Sequence, residues 1–122
     1  MSDIAVLGCE LEPVPPATGT ISVASDPSDE VFVGEKGVYF KEIKFSVSGS
    51  NGGGSVTNNN GTGTGSIIAT GSDVQDKNGN LVVLEGDMSA SVPITGTAGQ
   101  SPASGAIFVR VKKAGQTDVS VT

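Results

Sequence analysis

The sequence of 122 residues contains no histidine, no tryptophan and a single cysteine, Cys9. Without histidine, the chain lacks the commonest general base and the commonest nitrogen ligand for a metal. One cysteine allows no intrachain disulfide, and Cys9 is predicted to be a small buried hydrophobic residue near a strand end. There is also no G-x-S-x-G nucleophile elbow leading into a helix. These absences predict that the protein is not an enzyme.

Basic and aromatic residues are also scarce. Seven Lys and Arg stand against thirteen Asp and Glu, which gives a net charge of −6, and aromatic residues make up 4% of the chain. Because phosphate backbones repel such a chain and no aromatics are available for stacking, no nucleic-acid partner is expected. The amino terminus has no basic segment followed by a long apolar run, which predicts cytoplasmic synthesis without a signal peptide. No stretch approaches the roughly 20 apolar residues that span a bilayer.

The chain is rich in glycine, asparagine, serine and threonine, with short runs of valine and isoleucine between them. Apolar and polar residues alternate with period two over Ile21–Val23, Ile43–Val47 and Ile107–Val111, as in half-buried strands. No segment has the i, i+3, i+4, i+7 spacing of an amphipathic helix. We therefore predict a single all-β domain over residues 1–122, of about ten short strands, with its last strands within 105–121.

Two stretches between these runs are predicted to be connections. Gly49–Gly65 is a low-complexity Gly/Asn segment, although the regular Thr and Gly steps at Gly61–Gly65, and Val56, indicate that part of it is extended. Gly96–Gly105 is predicted to be a loop. Pro93 lacks an N–H, so its strand is expected at a sheet edge or at a point of irregular pairing.

The chain contains an internal repeat, with units over residues 19–50 and 65–97. Each unit has a strand, an Asp-containing turn, a short strand, a Gly turn, an apolar strand and a serine-rich alternating strand. The units are offset by about 42 residues, a period typical of units that bury their faces against each other. Ile107–Lys113 is a candidate for part of a third unit.

The second unit has the pattern G-x-I-x-A, turn, S-x-x-V, G-x-x-V and E-G-D. Its residues are Gly65, Ile67, Ala69, Ser72, Val74, Gly79, Val82, Glu85, Gly86 and Asp87. This pattern resembles the PAAR-repeat proteins, which cap the central spikes of type VI secretion systems and contractile phage tails, and the resemblance extends over Thr18–Thr97. It implies a cone or pyramid of short strands with pseudo-threefold symmetry that pierces the target cell envelope. It also implies a trimeric β-helical spike as partner, one copy per spike trimer, assembly into a tail or injection particle, and an effector as possible cargo.

The sequence departs from the family pattern at two places. Leu81–Leu84 stands where the family has its Pro-Ala-Ala-Arg segment, and the histidines that bind the tip metal in many members are missing. The resemblance therefore implies a tip without a metal or other cofactor. An apolar base is expected to dock on the spike through Leu81, Val82, Val83 and Leu84, or through Ile4–Leu7.

Two alternatives remain open at this point. One is a β-sandwich on a virion or cell surface that recognises carbohydrate or protein, although the shortage of aromatic residues gives it little support. The other concerns the acidic residues Asp26, Asp29, Glu30, Asp73 and Asp76. Together they could hold a divalent cation. Aspartate in turns more often accepts hydrogen bonds from the local backbone, and we predict that these residues do so.

Overall fold

The computed structural model describes residues 2–51 and 60–122, which form β-strands and no helix, so the all-β prediction is confirmed. The strands are β1 (Ser2–Asp3), β2 (Glu10–Pro13), β3 (Thr18–Val23), β4 (Phe32–Val33), β5 (Lys36–Gly37), β6 (Glu42–Ser50), β7 (Gly61–Ile68), β8 (Gly71–Gln75), β9 (Leu81–Val82), β10 (Val92–Ala98), β11 (Ser101–Ile107), β12 (Val109–Lys113) and β13 (Ser120–Val121). No helix suited to crossing a membrane occurs in these two ranges.

The longest strands form one antiparallel sheet in the order β11-β10-β7-β6-β3. β6 is paired along its length with β7 and with β3, and β10 with β11, but β7 and β10 meet at the single pair Thr62–Thr95. Pro93 is tolerated in β10 because pairing on the β7 side is restricted to that point, so the prediction of irregular pairing is confirmed. Every other sheet in the described ranges has two strands, so no second large sheet faces this one as in a sandwich.

Side-chain alternation places the core on one side of the long sheet. In β6, Ile43, Phe45 and Val47 are buried, whereas Lys44 and Ser46 are exposed. This pattern follows from the period of two in the sequence, because successive side chains of a strand point to opposite faces.

Three short two-stranded units complete the fold. β4 pairs with β5, β8 pairs with β9, and β1 pairs with β13, so the third unit joins the two ends of the described chain. We call these the three small hairpins, although the third is formed by separate parts of the chain. β2 pairs with β12.

The structure corrects one loop prediction and confirms the extended part of the other. Gly96–Gly105 is not a loop: β10 runs to Ala98 and β11 starts at Ser101, with Gly99 in the tight turn at φ +65°. Small alternating residues can pair as strands even without large apolar side chains, which the sequence reading did not anticipate. Gly61–Gly65 lies in β7, as its alternation predicted, and Val56 lies outside the described residues.

Candidate functional site

Three short segments meet in a closed ring of backbone hydrogen bonds. They are Ile4–Val6, Val38–Phe40 and Val82–Leu84, and we call them the ring segments, with Ala5, Tyr39 and Val83 as their centres. Tyr39 N–H donates to the Ala5 carbonyl at 3.1 Å, Val83 N–H to Tyr39 at 3.0 Å, and Ala5 N–H to Val83 at 2.8 Å. Each centre therefore donates once and accepts once, and the cycle closes within one chain.

A second set of bonds repeats the same symmetry farther from the ring centres. The residue two positions after each centre donates to the residue two positions before another centre. These pairs are Leu7 to Gly37 at 2.9 Å, Lys41 to Leu81 at 2.7 Å, and Glu85 to Asp3 at 2.8 Å. The flanking bridges Val6–Val38, Phe40–Val82 and Leu84–Ile4 follow the same rotation. The ring therefore has pseudo-threefold symmetry.

A tight turn with a left-handed residue follows each ring segment. The residues are Gly8, Lys41 and Gly86, with φ of +94°, +71° and +93°. Glu85–Asp87 therefore turns at Gly86, where glycine accommodates the positive φ. In this turn the buried Asp87 carboxylate accepts the Leu84 N–H at 2.8 Å, the Thr70 N–H at 3.2 Å and the Thr70 hydroxyl.

The ring separates two apolar clusters. Ala5, Tyr39 and Val83 belong to a cluster with the inward side chains of the long sheet, whereas the residues beside them belong to a second cluster with the small hairpins. Because neighbouring side chains in a strand point to opposite faces, the clusters lie on opposite faces of the ring. We call the two sides the sheet end and the hairpin end.

The inward side chains of the long sheet become smaller with distance from the ring. Along β6 the inward residues run Ile43, Phe45, Val47 and then Gly49, and β7 carries Gly65, Gly63 and Gly61 after Ile67. A Cβ at six sheet glycines would lie within 3 Å of a neighbouring atom, and at half of them that atom is a backbone carbonyl oxygen. The six are Gly19, Gly49, Gly63, Gly65, Gly96 and Gly105. Strands therefore approach more closely there than any side chain would allow.

The sheet end also lacks charge along most of its length. Residues 13–24, 45–51, 60–70 and 88–109 contain no Asp, Glu, Lys or Arg. These ranges include β3, β7, β10, β11 and β6 from Phe45 onward. The outward positions of β3, β6 and β7 instead carry serine and threonine hydroxyls, as at Thr20, Ser46 and Thr64.

The hairpin end repeats one short motif three times. Phe32, Gln75 and Ser120 are paired with the residues two positions before the ring centres, Gly37, Leu81 and Asp3. Each of the three follows a valine and an acidic residue. These dipeptides are Glu30-Val31, Asp73-Val74 and Asp118-Val119. The third unit was missed in the sequence, although Thr117-Asp118-Val119 matches Ser72-Asp73-Val74 and could have revealed it.

The residues predicted to dock on a partner lie mainly inside the protein. Val82 and Val83 are 0% exposed and Leu84 is 6% exposed, because they form a ring segment with core on both sides. Ile4–Val6 is buried for the same reason, and Leu7 is the exposed member of that run. These residues form the ring through their backbones, and their side chains pack into the two apolar clusters.

The acidic residues considered for a cation bond their own surroundings. Asp76 accepts the Asn78 and Asn80 backbone N–H groups, each at 2.9 Å, and the Asn80 side chain lowers the pKa of Asp76. Asp73 accepts the Thr122 N–H and hydroxyl, which lower the pKa of Asp73. Within residues 2–51 and 60–122, no group of three or more Asp, Glu, Cys or His could hold a metal ion.

Cys9 is half-buried beside the sheet-end cluster, and burial raises its pKa to about 11. A thiol with that pKa is almost entirely protonated at neutral pH, so it is a poor nucleophile and metal ligand.

Comparison of the chain with protein-family models, with curated proteins and with solved structures finds no match.

Proposed function

We propose that the protein is the tip of the central spike of a contractile injection apparatus, such as a phage tail or a secretion system. The closed ring of Ala5, Tyr39 and Val83 is the observation that carries the proposal. Symmetric shafts in proteins are built from identical chains. One monomer can cap a threefold shaft evenly only if it presents three equivalent contacts, and the ring gives one chain that arrangement.

The sheet end is suited to enter a target envelope first. Its inward positions change from Ile43, Phe45 and Val47 to Gly49, so little side-chain volume fills that end. Its charge-free ranges would enter an apolar layer without the desolvation cost of an ionised side chain, which amounts to several kcal/mol per ion. Long paired strands would resist an axial load through their hydrogen bonds, so the tip acts mechanically and needs no catalytic turnover. We therefore expect no enzymatic activity and no cofactor.

The hairpin end is suited to sit on the shaft. Val31, Val74 and Val119 occupy corresponding places in the three small hairpins and are half-buried or exposed, and Phe32 is 52% exposed. These side chains would close the apolar end of a trimeric β-helical spike, and they replace Leu81–Leu84 as the proposed docking residues.

Stoichiometry tests this function. Light scattering or native mass spectrometry of the chain mixed with the trimeric spike protein of its own apparatus should show one copy per three spike chains. A stable homotrimer of this chain without affinity for the spike would refute the proposal, because a symmetric trimer has no need for pseudo-symmetry in its monomer.

A further inference from the structure

We propose that the surface receiving the hairpin end has an apolar centre surrounded by lysine and arginine side chains. This inference rests on the proposed function, and it adds the chemistry of the partner. The observation behind it is the uneven distribution of charge between the two ends of the molecule.

The negative charge is concentrated in the hairpin end, and Lys113 lies at its border, where it lines one pocket with Asp3. Residues 2–3, 25–37, 71–81 and 114–122 contain eight acidic and two basic side chains, which equals the whole net charge of −6. The five acidic and five basic residues elsewhere cancel. The eight acidic residues are Asp3, Asp26, Asp29, Glu30, Glu35, Asp73, Asp76 and Asp118.

Both basic side chains of the hairpin end are engaged within the protein. Lys77 Nζ lies 2.8 Å from Glu30 Oε1, and Lys36 Nζ donates to the Gly115 carbonyl at 2.8 Å. They are therefore poorly placed to meet an acidic partner.

The acidic residues also follow the pseudo-threefold symmetry. Glu30, Asp73 and Asp118 each immediately precede one of the three docking valines and are exposed, although Glu30 already pairs with Lys77 and Asp73 accepts hydrogen bonds from Thr122. A threefold partner offers the same residue three times, so one lysine or arginine per spike chain could meet all three positions. Interfaces join patches of opposite sign, and such pairs mainly accelerate association.

The negative charge of the hairpin end also argues against other binding partners. Two hairpin ends from separate copies would bring two surfaces of −6 together, so self-association there is opposed. Phosphate-bearing surfaces are opposed for the same reason. The favoured occupant is a protein surface with an apolar centre and a cationic rim.

The test uses the same spike trimer and measures association by surface plasmon resonance at 50 and 500 mM NaCl. We expect the association rate to fall by about tenfold at the higher salt, because screening removes electrostatic steering. The double variant E30Q/D118N should associate about three- to tenfold more slowly than the parent at 50 mM NaCl. The matched control E10Q/E42Q also removes two negative charges, but from outside the hairpin end, and should change the rate by less than about twofold.

Carbodiimide cross-linking of the unmodified proteins gives a readout that does not depend on variant folding. It should join Glu30, Asp73 or Asp118 to spike lysines. If a one-to-three complex forms with the same rate in both salts and without such cross-links, the cationic partner is wrong and the proposed function stands. If no complex forms with the spike, both proposals fail.

Discussion

Replacing Gly49 by alanine is the sharpest test of the narrowing interior. Alanine normally stabilises a strand relative to glycine by about 0.5–1 kcal/mol, because it restricts the unfolded chain. At Gly49 the new methyl would lie within 3 Å of the Thr18 carbonyl oxygen and the Gly19 Cα. Both are backbone atoms of β3, and β3 is fixed by its pairing with β6 through Thr18–Ser50 and Gly19–Gly49. The strand can move away only by straining those pairs.

Overpacking of this kind costs about 1–3 kcal/mol. After the usual gain from alanine is deducted, we expect G49A to lower the free energy of unfolding by about 1–2 kcal/mol. Such a loss is measurable against the roughly 5–15 kcal/mol that stabilises a typical domain. Urea denaturation followed by Tyr39 fluorescence is the assay, because the chain has one tyrosine and no tryptophan, and Tyr39 is buried at the ring.

The matched control is S46A in the same strand. Ser46 points outward and is exposed, so its substitution should change stability by no more than about 0.5 kcal/mol. The slope of free energy against urea should be the same for all three proteins. A G49A protein as stable as the parent, or more stable, would show that β3 and β6 leave room for a side chain and that the interior does not narrow there.

Three further predictions concern titratable side chains. D87A should cost about 2–3 kcal/mol in urea denaturation, because the buried Leu84 N–H loses its carboxylate acceptor; an unchanged midpoint would contradict this. Bonds to Thr122 hold the pKa of Asp73 below its ordinary 3.8, so their stabilising effect is present above that pH and is lost as pH falls through the lower folded-state pKa. The side-chain carboxyl carbon of Asp73 should therefore titrate below pH 3.8 in NMR, and a midpoint above that value would count against the bonds. Since burial raises the pKa of Cys9 from 9.0 to about 11, a dithiodipyridine reagent at pH 8 should react about 100-fold more slowly with the folded protein than in urea; equal rates would refute its burial.

The alternating strands could be read from the sequence because their signal is local. Ile43, Phe45 and Val47 mark the buried face of β6, and Asn78-Gly79 marks the turn before β9, where Gly79 has φ +81°. Each feature depends on residues close together in the chain. The pairing of β10 with β11 was missed because its inward residues beyond Ile94 are as small as those of a loop.

The burial of Leu81–Leu84 could not be read in the same way. An apolar run has the same composition whether it is buried in the core or exposed as a binding surface. What buries Val83 is contact with the ring segments around Ala5 and Tyr39, which lie 78 and 44 residues earlier in the chain. The local sequence around Val83 contains no signal for such distant pairing.

The third unit is hard to recognise in the sequence because its parts lie at opposite ends of the chain. The first two units are continuous, and a repeat search finds them at a constant offset. The third takes its ring segment from Ile4–Val6 and its acidic-valine dipeptide from Asp118-Val119, at opposite ends of the chain. A linear comparison can match Asp118-Val119 to Asp73-Val74 but cannot connect that dipeptide with Ile4–Val6, whereas the pairing of β1 with β13 does so in space.

Pseudo-symmetry within one chain also explains how the ring can be filled by unlike residues. In a homotrimer three identical side chains would meet at the axis, so one substitution would change the size of all three at once. Here alanine, tyrosine and valine occupy the three centres and share one buried cluster, so the small Ala5 leaves room for the large Tyr39. A single chain can therefore keep threefold backbone bonding on the side that we propose to meet a symmetric partner. At the sheet end it can also set the size of each inward side chain independently. There, a glycine in one strand lies beside a larger residue in the neighbouring strand.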